Sequence, residues 1–169
     1  MLDYYSTIMN SSFALFEKII SGGQTGADRA ALDFALAHGI PHGGWCPRGR
    51  LAEDGPLGSQ YQLTEIPSAD SAQRTEWNVR DSDATVIFSL NSELSGGTLK
   101  TLEFTQSHGK PLLHILRSEP NPSQSLASFI QHHRAKSLNI AGPRESEEPG
   151  IGIFVRNALE KLFLQGRPA

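Results

Sequence analysis

The chain has 169 residues, 38% hydrophobic and 20% charged, enough for one well-buried core and short for two α/β domains. A net charge of -3 and an isoelectric point near 6.0 exclude a global cationic field for nucleic acid or an acidic membrane, so any anion site must be local. Cys46 is the single cysteine, which excludes an internal disulfide and fits a reducing cytoplasm, and no apolar run approaches the ~20 residues that span a bilayer.

Residues 1–17 lack the basic start and apolar block of a signal peptide and read as an N-terminal extension, with one domain over 18–169. Lys18-Ile19-Ile20 predicts a first strand. It runs into Ser21-Gly22-Gly23-Gln24-Thr25-Gly26-Ala27-Asp28, and then a segment from Arg29 to His38 with helical apolar spacing. Strand, glycine turn and helix in succession suit an anion, because glycine lets backbone approach a ligand and the first helical amides are unpaired. The spelling matches neither the dinucleotide fingerprint nor the P-loop. Two readings stay open: a phosphate cradle, or a tight turn capped by Thr25 or Asp28.

Gly39-Ile40-Pro41 ends the helix, and a second strand is expected over His42 to Cys46. From Pro47 to about Ala72 no period is sustained, the signature of a lid or binding loop. Arg74 to Ser82 predicts a short helix, and Ala84-Thr85-Val86-Ile87-Phe88-Ser89 a strand buried on both faces. A second glycine turn, Leu94-Ser95-Gly96-Gly97-Thr98, opens a helix to about His108. Strands at Leu112 to Leu116 and Ser137 to Ala141 flank a helix at Ser125 to Arg134, and a last helix runs from Ile151 to Gln165.

Alternation of five strands with helices predicts a Rossmann-like, three-layer α/β/α domain with a five-stranded parallel sheet, expected in the order 2-1-3-4-5. Both glycine turns then meet at the topological switch point, where ligands sit in such sheets. Arg48, Arg50, Arg74, Arg80 and Arg144 gather from neighbouring loops, and the planar guanidinium suits phosphate or carboxylate. Asp83, just before a strand, reads as a structural cap. Cys46 reads as a packing thiol, and the histidines form no spaced metal-ligand set.

Several strings are specific enough to name a family. Ser21-Gly22-Gly23-Gln24-Thr25-Gly26-Ala27-Asp28-Arg29, Gly43-Gly44-Trp45-Cys46-Pro47, Arg74-Thr75-Glu76-Trp77-Asn78-Val79-Arg80-Asp81, Ser95-Gly96-Gly97-Thr98 and Ala141-Gly142-Pro143-Arg144-Glu145 together resemble the putative molybdenum carrier family, circularly permuted YpsA-like members of the SLOG superfamily. The resemblance implies a Rossmann-like homo-oligomer, dimer or tetramer, that carries molybdenum cofactor (molybdopterin) or a nucleotide. Gly22, Gly23, Gln24, Thr25, Gly26, Arg48, Arg74, Ser95, Gly96, Gly97, Thr98 and Arg144 are the expected ligand-binding residues, with no protein metal ligand. The same superfamily contains the lonely-guy phosphoribohydrolases, and Arg74 stands nine residues before Asp83-Ala84 as in their pattern. Their glycine turn is only partly kept, with Ser95 in place of proline and Glu103 at a different distance. Nucleotide N-glycoside hydrolysis by Arg74 and Glu103 is therefore the second reading.

Overall fold

The computed structural model describes residues 15–166, so most of the expected extension, residues 1–14, lies outside the described residues. Residues 15–17 already belong to the packed body. Phe16 is buried in the core, and the amides of Glu17 and Lys18 donate to the Lys136 carbonyl at 2.7 and 3.1 Å.

In chain order the elements are β1 (Lys18–Ile20), α1 (Ala27–Ala37), β2 (His42–Gly43), β3 (Trp45–Cys46), β4 (Leu51–Ala52), β5 (Gly55–Pro56), β6 (Thr64–Glu65), α2 (Ser71–Arg80), β7 (Ala84–Ser89), α3 (Gly96–Ser107), β8 (Leu112–Leu116), α4 (Pro122–His133), β9 (Ser137–Ala141) and α5 (Ile151–Gln165). The expected second strand is broken at Gly44 (φ 134°) into β2, which joins the main sheet, and β3, which pairs with β6. The stretch expected to lack regular structure holds the antiparallel β4–β5 hairpin as well. Helix α2 starts three residues earlier than its apolar pattern suggests because Asp70 caps it, accepting from the Ala72 amide at 2.9 Å.

The main sheet is parallel and five-stranded, as expected, in the order β2-β1-β9-β7-β8. Counting its strands by sequence, that is 2-1-5-3-4, which corrects the expected 2-1-3-4-5. The last strand is inserted between the first and third: Lys18, Ile19 and Ile20 pair with Ser137, Leu138 and Asn139, while Ala84 to Ile87 pair with Leu138 to Ala141. The burial explains the choice. Leu138, Asn139 and Ile140 are almost fully enclosed, whereas β8 leaves His114 exposed and serves as an edge. Right-handed crossovers permit either order, so handedness could not select between them.

Side-chain alternation divides the sheet into two unlike faces. Ile19, Val86, Phe88, Leu138 and Ile140 enter a large apolar cluster with residues of α1, α4 and α5. Toward α2 and α3 the buried set mixes apolar Val79 and Ile87 with polar side chains: Thr75 and Asn78 from α2, Thr98, Thr101 and Thr105 from α3, and Asn139 from the sheet. Thr101 and Thr105 spend their hydroxyl protons on Gly97 and Thr101 carbonyls one turn back. Most of the apolar burial is on the first face, each buried Leu, Ile or Phe contributing about 1.5–3 kcal/mol.

Asp83 acts as the expected cap. Its carboxylate accepts from the Lys136 and Ser137 amides at 2.9 Å each, tying the start of β7 to the inserted β9. The Ser137 amide bond, the largest influence, holds this carboxyl below the usual carboxylate range. A depressed folded value stabilises above the unfolded pKa and loses that contribution as pH falls through the folded one. Asp83→Asn is therefore expected to melt below wild type near neutrality, with the gap closing in acid, as thermal melts across a pH series would read.

Candidate functional site

A cavity of about 200 Å³ opens at the carboxyl ends of β1 and β9, between them and helices α2 and α3. Both glycine turns reach it. The first contributes Gly22 and Gln24, the second Gly96, Gly97 and Thr98, while Arg74 and Thr75 come from α2 and Arg144 and Glu147 from the loop after β9. The turns are not on neighbouring strands, because β9 lies between β1 and β7, and Asn139 and Ala141 of that strand, with Gly142 just past it, line the cavity.

Arg74 is the central side chain. It lies flat on the first turn: a Cβ at Gly22 would stand 1.6 Å from its Nη1, so only glycine admits the guanidinium there. Nη1 donates to Asp28 Oδ2 at 3.2 Å, and the two side chains are 14% and 8% exposed. Among the described residues no other of the five N–H donors of this fork is used, and buried Nε has no partner there. Burial pushes the Asp28 carboxyl up from its ordinary range, while Arg74 and the Gln24 amide hold the charged form in place.

The two glycine turns differ in what they leave open. In the first, the Gln24 amide donates to Asp28, Thr25 donates to Gln24 Oε1, and Ala27 donates to the Pro143 carbonyl. Thr25 and Gly26 turn toward the 143–146 loop: a Cβ on Gly26 would lie 2.5 Å from the Pro143 oxygen and 2.6 Å from the Glu145 nitrogen. The Thr25 hydroxyl bonds Glu53, which also accepts from Ser146 Oγ at 2.5 Å. Ser146, then Thr25, draws the Glu53 carboxyl below its usual range. Asp54 takes Arg29 bidentately at 2.9 and 3.1 Å, so the β4–β5 hairpin is latched across this turn. At the second turn, Ser95 makes no side-chain cap, and the amides of Gly96, Gly97 and Thr98 donate to no group of the described residues.

Of the expected binding residues, Gly22, Gln24, Arg74, Gly96, Gly97, Thr98 and Arg144 line the cavity. Gly23, Thr25, Gly26 and Arg48 do not, and Ser95 lines a smaller cavity next to it. Glu103 is exposed outside the lining. At about 100° per residue it lies about 200° around α3 from buried Thr101 and Thr105. Arg50 is a staple, donating to the carbonyls of Leu57, Gly58, Tyr61 and Leu63 at 2.8–3.4 Å, and Arg80 pairs with Asp81 over the Trp77 ring. Cys46 is fully buried, and burial raises its thiol pKa, which suits packing.

Sequence reasoning missed Asn78, Thr101 and Asn139. A lone asparagine in the Leu-Asn-Ile core of β9 was the available signal, since a buried amide needs a partner. Asn139 Nδ2 bonds Thr85 Oγ1 at 3.3 Å, and Asn78 holds both backbone groups of Trp45, at 2.7 and 3.0 Å.

Fold and cavity define an α/β domain with a Rossmann-like parallel sheet and a polar cleft over its strand ends. The chain belongs to the Circularly permutated YpsA SLOG family, whose sequence pattern matches residues 19–163. It is similar to the crystal structure of a putative molybdenum carrier protein from Syntrophus aciditrophicus SB, with 48% identity and a TM-score of 0.84 over 89% of this chain and 96% of that one. No curated protein matches it. Among the described residues no helix is long and apolar enough to cross a membrane, and no three His, Cys, Asp or Glu side chains gather as a metal-ligand set.

Arg74→Met leaves Asp28 buried without its counter-charge, an expected loss of about 3 kcal/mol. Acidification protonates that carboxyl, so the deficit against wild type is expected to shrink as pH falls. Chemical denaturation at several pH values measures it, and a pH-independent deficit would mean that packing, not charge, is what Arg74 supplies.

Proposed function

We propose that this protein is a carrier that holds a phosphorylated heterocycle, molybdenum cofactor or a nucleotide, with the ligand's phosphate at the N-terminus of α3 and against Arg74. One observation carries the reading: the Arg74 guanidinium keeps Nη2 unspent, among the described residues, at a cavity edged by three helix amides that are unpaired there. Amides, helix dipole and an arginine fork together favour an anion. Gly22, Gln24 and Arg144 are read as the remaining contacts at the rim. The name of the Syntrophus protein supports a molybdenum-related cargo, which would bring its metal on its own dithiolene. The unpaired thiol of Cys46 supports work in the cytoplasm, and the family resemblance supports a homo-oligomer.

The carrier reading is preferred to N-glycoside hydrolysis because an oxocarbenium-like transition state requires a carboxylate near the anomeric carbon. Glu103, the acid assigned to that task, lies outside the cavity lining.

Protein purified from cells that make the cofactor is expected to release a fluorescent, phosphorylated pterin or a nucleotide, identified by mass spectrometry. Calorimetry with the same ligand is expected to show a loss of about tenfold or more in Asp28→Asn/Arg74→Gln, which removes both buried charges together. Repeated isolation of empty protein with no affinity for nucleotide or pterin phosphates would sink the reading.

A further inference from the structure

The buried side chains around the large cavity are rich in hydrogen-bond acceptors. They include Asp28, Thr75, Asn78, Thr101 and Asn139, none more than 8% exposed. Asp28 Oδ2 takes both the Gln24 amide and Arg74 Nη1, and Oδ1 takes no donor among the described residues. Asn139 commits Nδ2 to Thr85 Oγ1, and its Oδ1 likewise takes no donor there. Thr75 and Thr101 give their hydroxyl protons to the Ser71 and Gly97 carbonyls, so their oxygens retain only lone pairs. Asn78 spends both ends of its amide on Trp45.

Among the described residues, Arg74 Nε is the one side-chain nitrogen or oxygen sealed in without a partner. The free oxygens of Asp28 and Asn139 are therefore reachable, and the space these residues border is the cavity. Both side chains belong to residues more than nine-tenths buried, at 6% and 2% exposed. Water satisfies oxygens of this kind until a ligand displaces it. A ligand that fills the cavity must then bring hydrogens to them. Otherwise a carboxylate oxygen and an amide oxygen lose their hydrogen bonds, a cost larger than one made bond returns.

The phosphate itself does not bring them. A phosphate ester dianion is all acceptor, so the donors must come from the part of the ligand that the phosphate is attached to. The place of Asp28 says which part. Its carboxyl holds Arg74 Nη1, so its free oxygen lies beside the guanidinium read above as the phosphate contact. Donors within a few bonds of the phosphorus are what reach it. In a phosphorylated sugar these are hydroxyls, whereas the N–H groups of a heterocycle stand at the far end of a nucleotide or pterin phosphate. A hydroxyl also accepts, so it can take a bond from Arg74 Nη2 while it donates to a carboxylate.

We infer that the large cavity binds the phosphate ester of a polyhydroxylated sugar, the ribose 5-phosphate unit of a nucleotide being the type, with its hydroxyls donating to Asp28 Oδ1 and Asn139 Oδ1. The inference rests on the phosphate reading above and narrows it. Of the two cargoes considered there, it selects a nucleotide over a phosphorylated pterin whose carbons next to the phosphate carry no free hydroxyl. A site that hydrogen-bonds a ligand hydroxyl rejects the analogue lacking it, because the acceptor is left unpaired.

Calorimetry on the full chain with inorganic phosphate, methyl phosphate, ribose 5-phosphate and a phosphorylated pterin without free hydroxyls tests this. Methyl phosphate carries the same ester phosphate and no hydroxyl. Ribose 5-phosphate is expected to bind about tenfold or more tighter than methyl phosphate, and tighter than the pterin. In Asn139→Leu the preference for ribose 5-phosphate over methyl phosphate is expected to fall about threefold or more. That preference compares two esters on one protein, so a change in phosphate grip common to both cancels. A melting curve verifies that the variant is folded, and Asn139→Ala replaces it where it is not. Equal affinity for ribose 5-phosphate and methyl phosphate, a preference unchanged in the folded variant, or a pterin that binds as tightly as ribose 5-phosphate overturns the hydroxyl assignment and leaves the phosphate site standing. Failure of all four ligands, inorganic phosphate included, overturns both.

Discussion

The contact on which the site depends is the Arg74 guanidinium lying on the bare backbone of Gly22 and paired with Asp28. It joins α2 to the β1–α1 turn by a charge pair that is largely out of water. A buried carboxylate beside one arginine is costly to strip of its partner, so each charge keeps the other in place. It also settles a question the glycines alone left open. Gly22 is needed for the close approach of the protein's own guanidinium.

From this pair follows a division of labour between the two turns. Turn one is largely consumed internally by Asp28, Gln24, Glu53 and the 143–146 loop. Turn two, without a side-chain cap, leaves its first amides without a partner among the described residues. A helix end lacking internal satisfaction costs free energy when it is dry and unoccupied, which is why such ends attract water or anions. The threonine-rich inner face of α3 belongs to the same arrangement, with hydroxyls where a structural helix would place leucines.

Much of the fold was legible because its signals are local. The span of β7 follows from an unbroken apolar run, β8 from a reset at Gly109-Lys110-Pro111, and α5 from its periodic Leu and Ile positions. The place of β9 was not legible. Ser-Leu-Asn-Ile-Ala reads as less apolar than Leu-Leu-His-Ile-Leu of β8, yet β9 is interior and β8 is the edge. The interior strand tolerates Asn139 because Thr85 receives its amide, a pairing that exists only after the strands are side by side. The site was legible in the same uneven way. Spacing singled out Arg74 and both glycine pairs, but which way Thr25, Gly26 and Glu103 face depends on helix phase and on the loop that arrives more than a hundred residues later.

The inserted strand also sets the shape of the cleft. Neighbouring strands lie about 4.8 Å apart, so turns on adjacent strands would meet across one spacing, while here β9 holds β1 and β7 about 10 Å apart. A crevice between neighbours suits one compact group. With β9 as its floor, and the 143–147 loop rising from the end of that strand, the gap becomes a trough lined from both glycine turns, with Arg74 and Glu147 in the same lining. The change in strand order thus alters the chemistry of the site as well as its topology, since Asn139, Gly142, Pro143 and Glu147 all reach the cleft because the last strand enters the middle of the sheet.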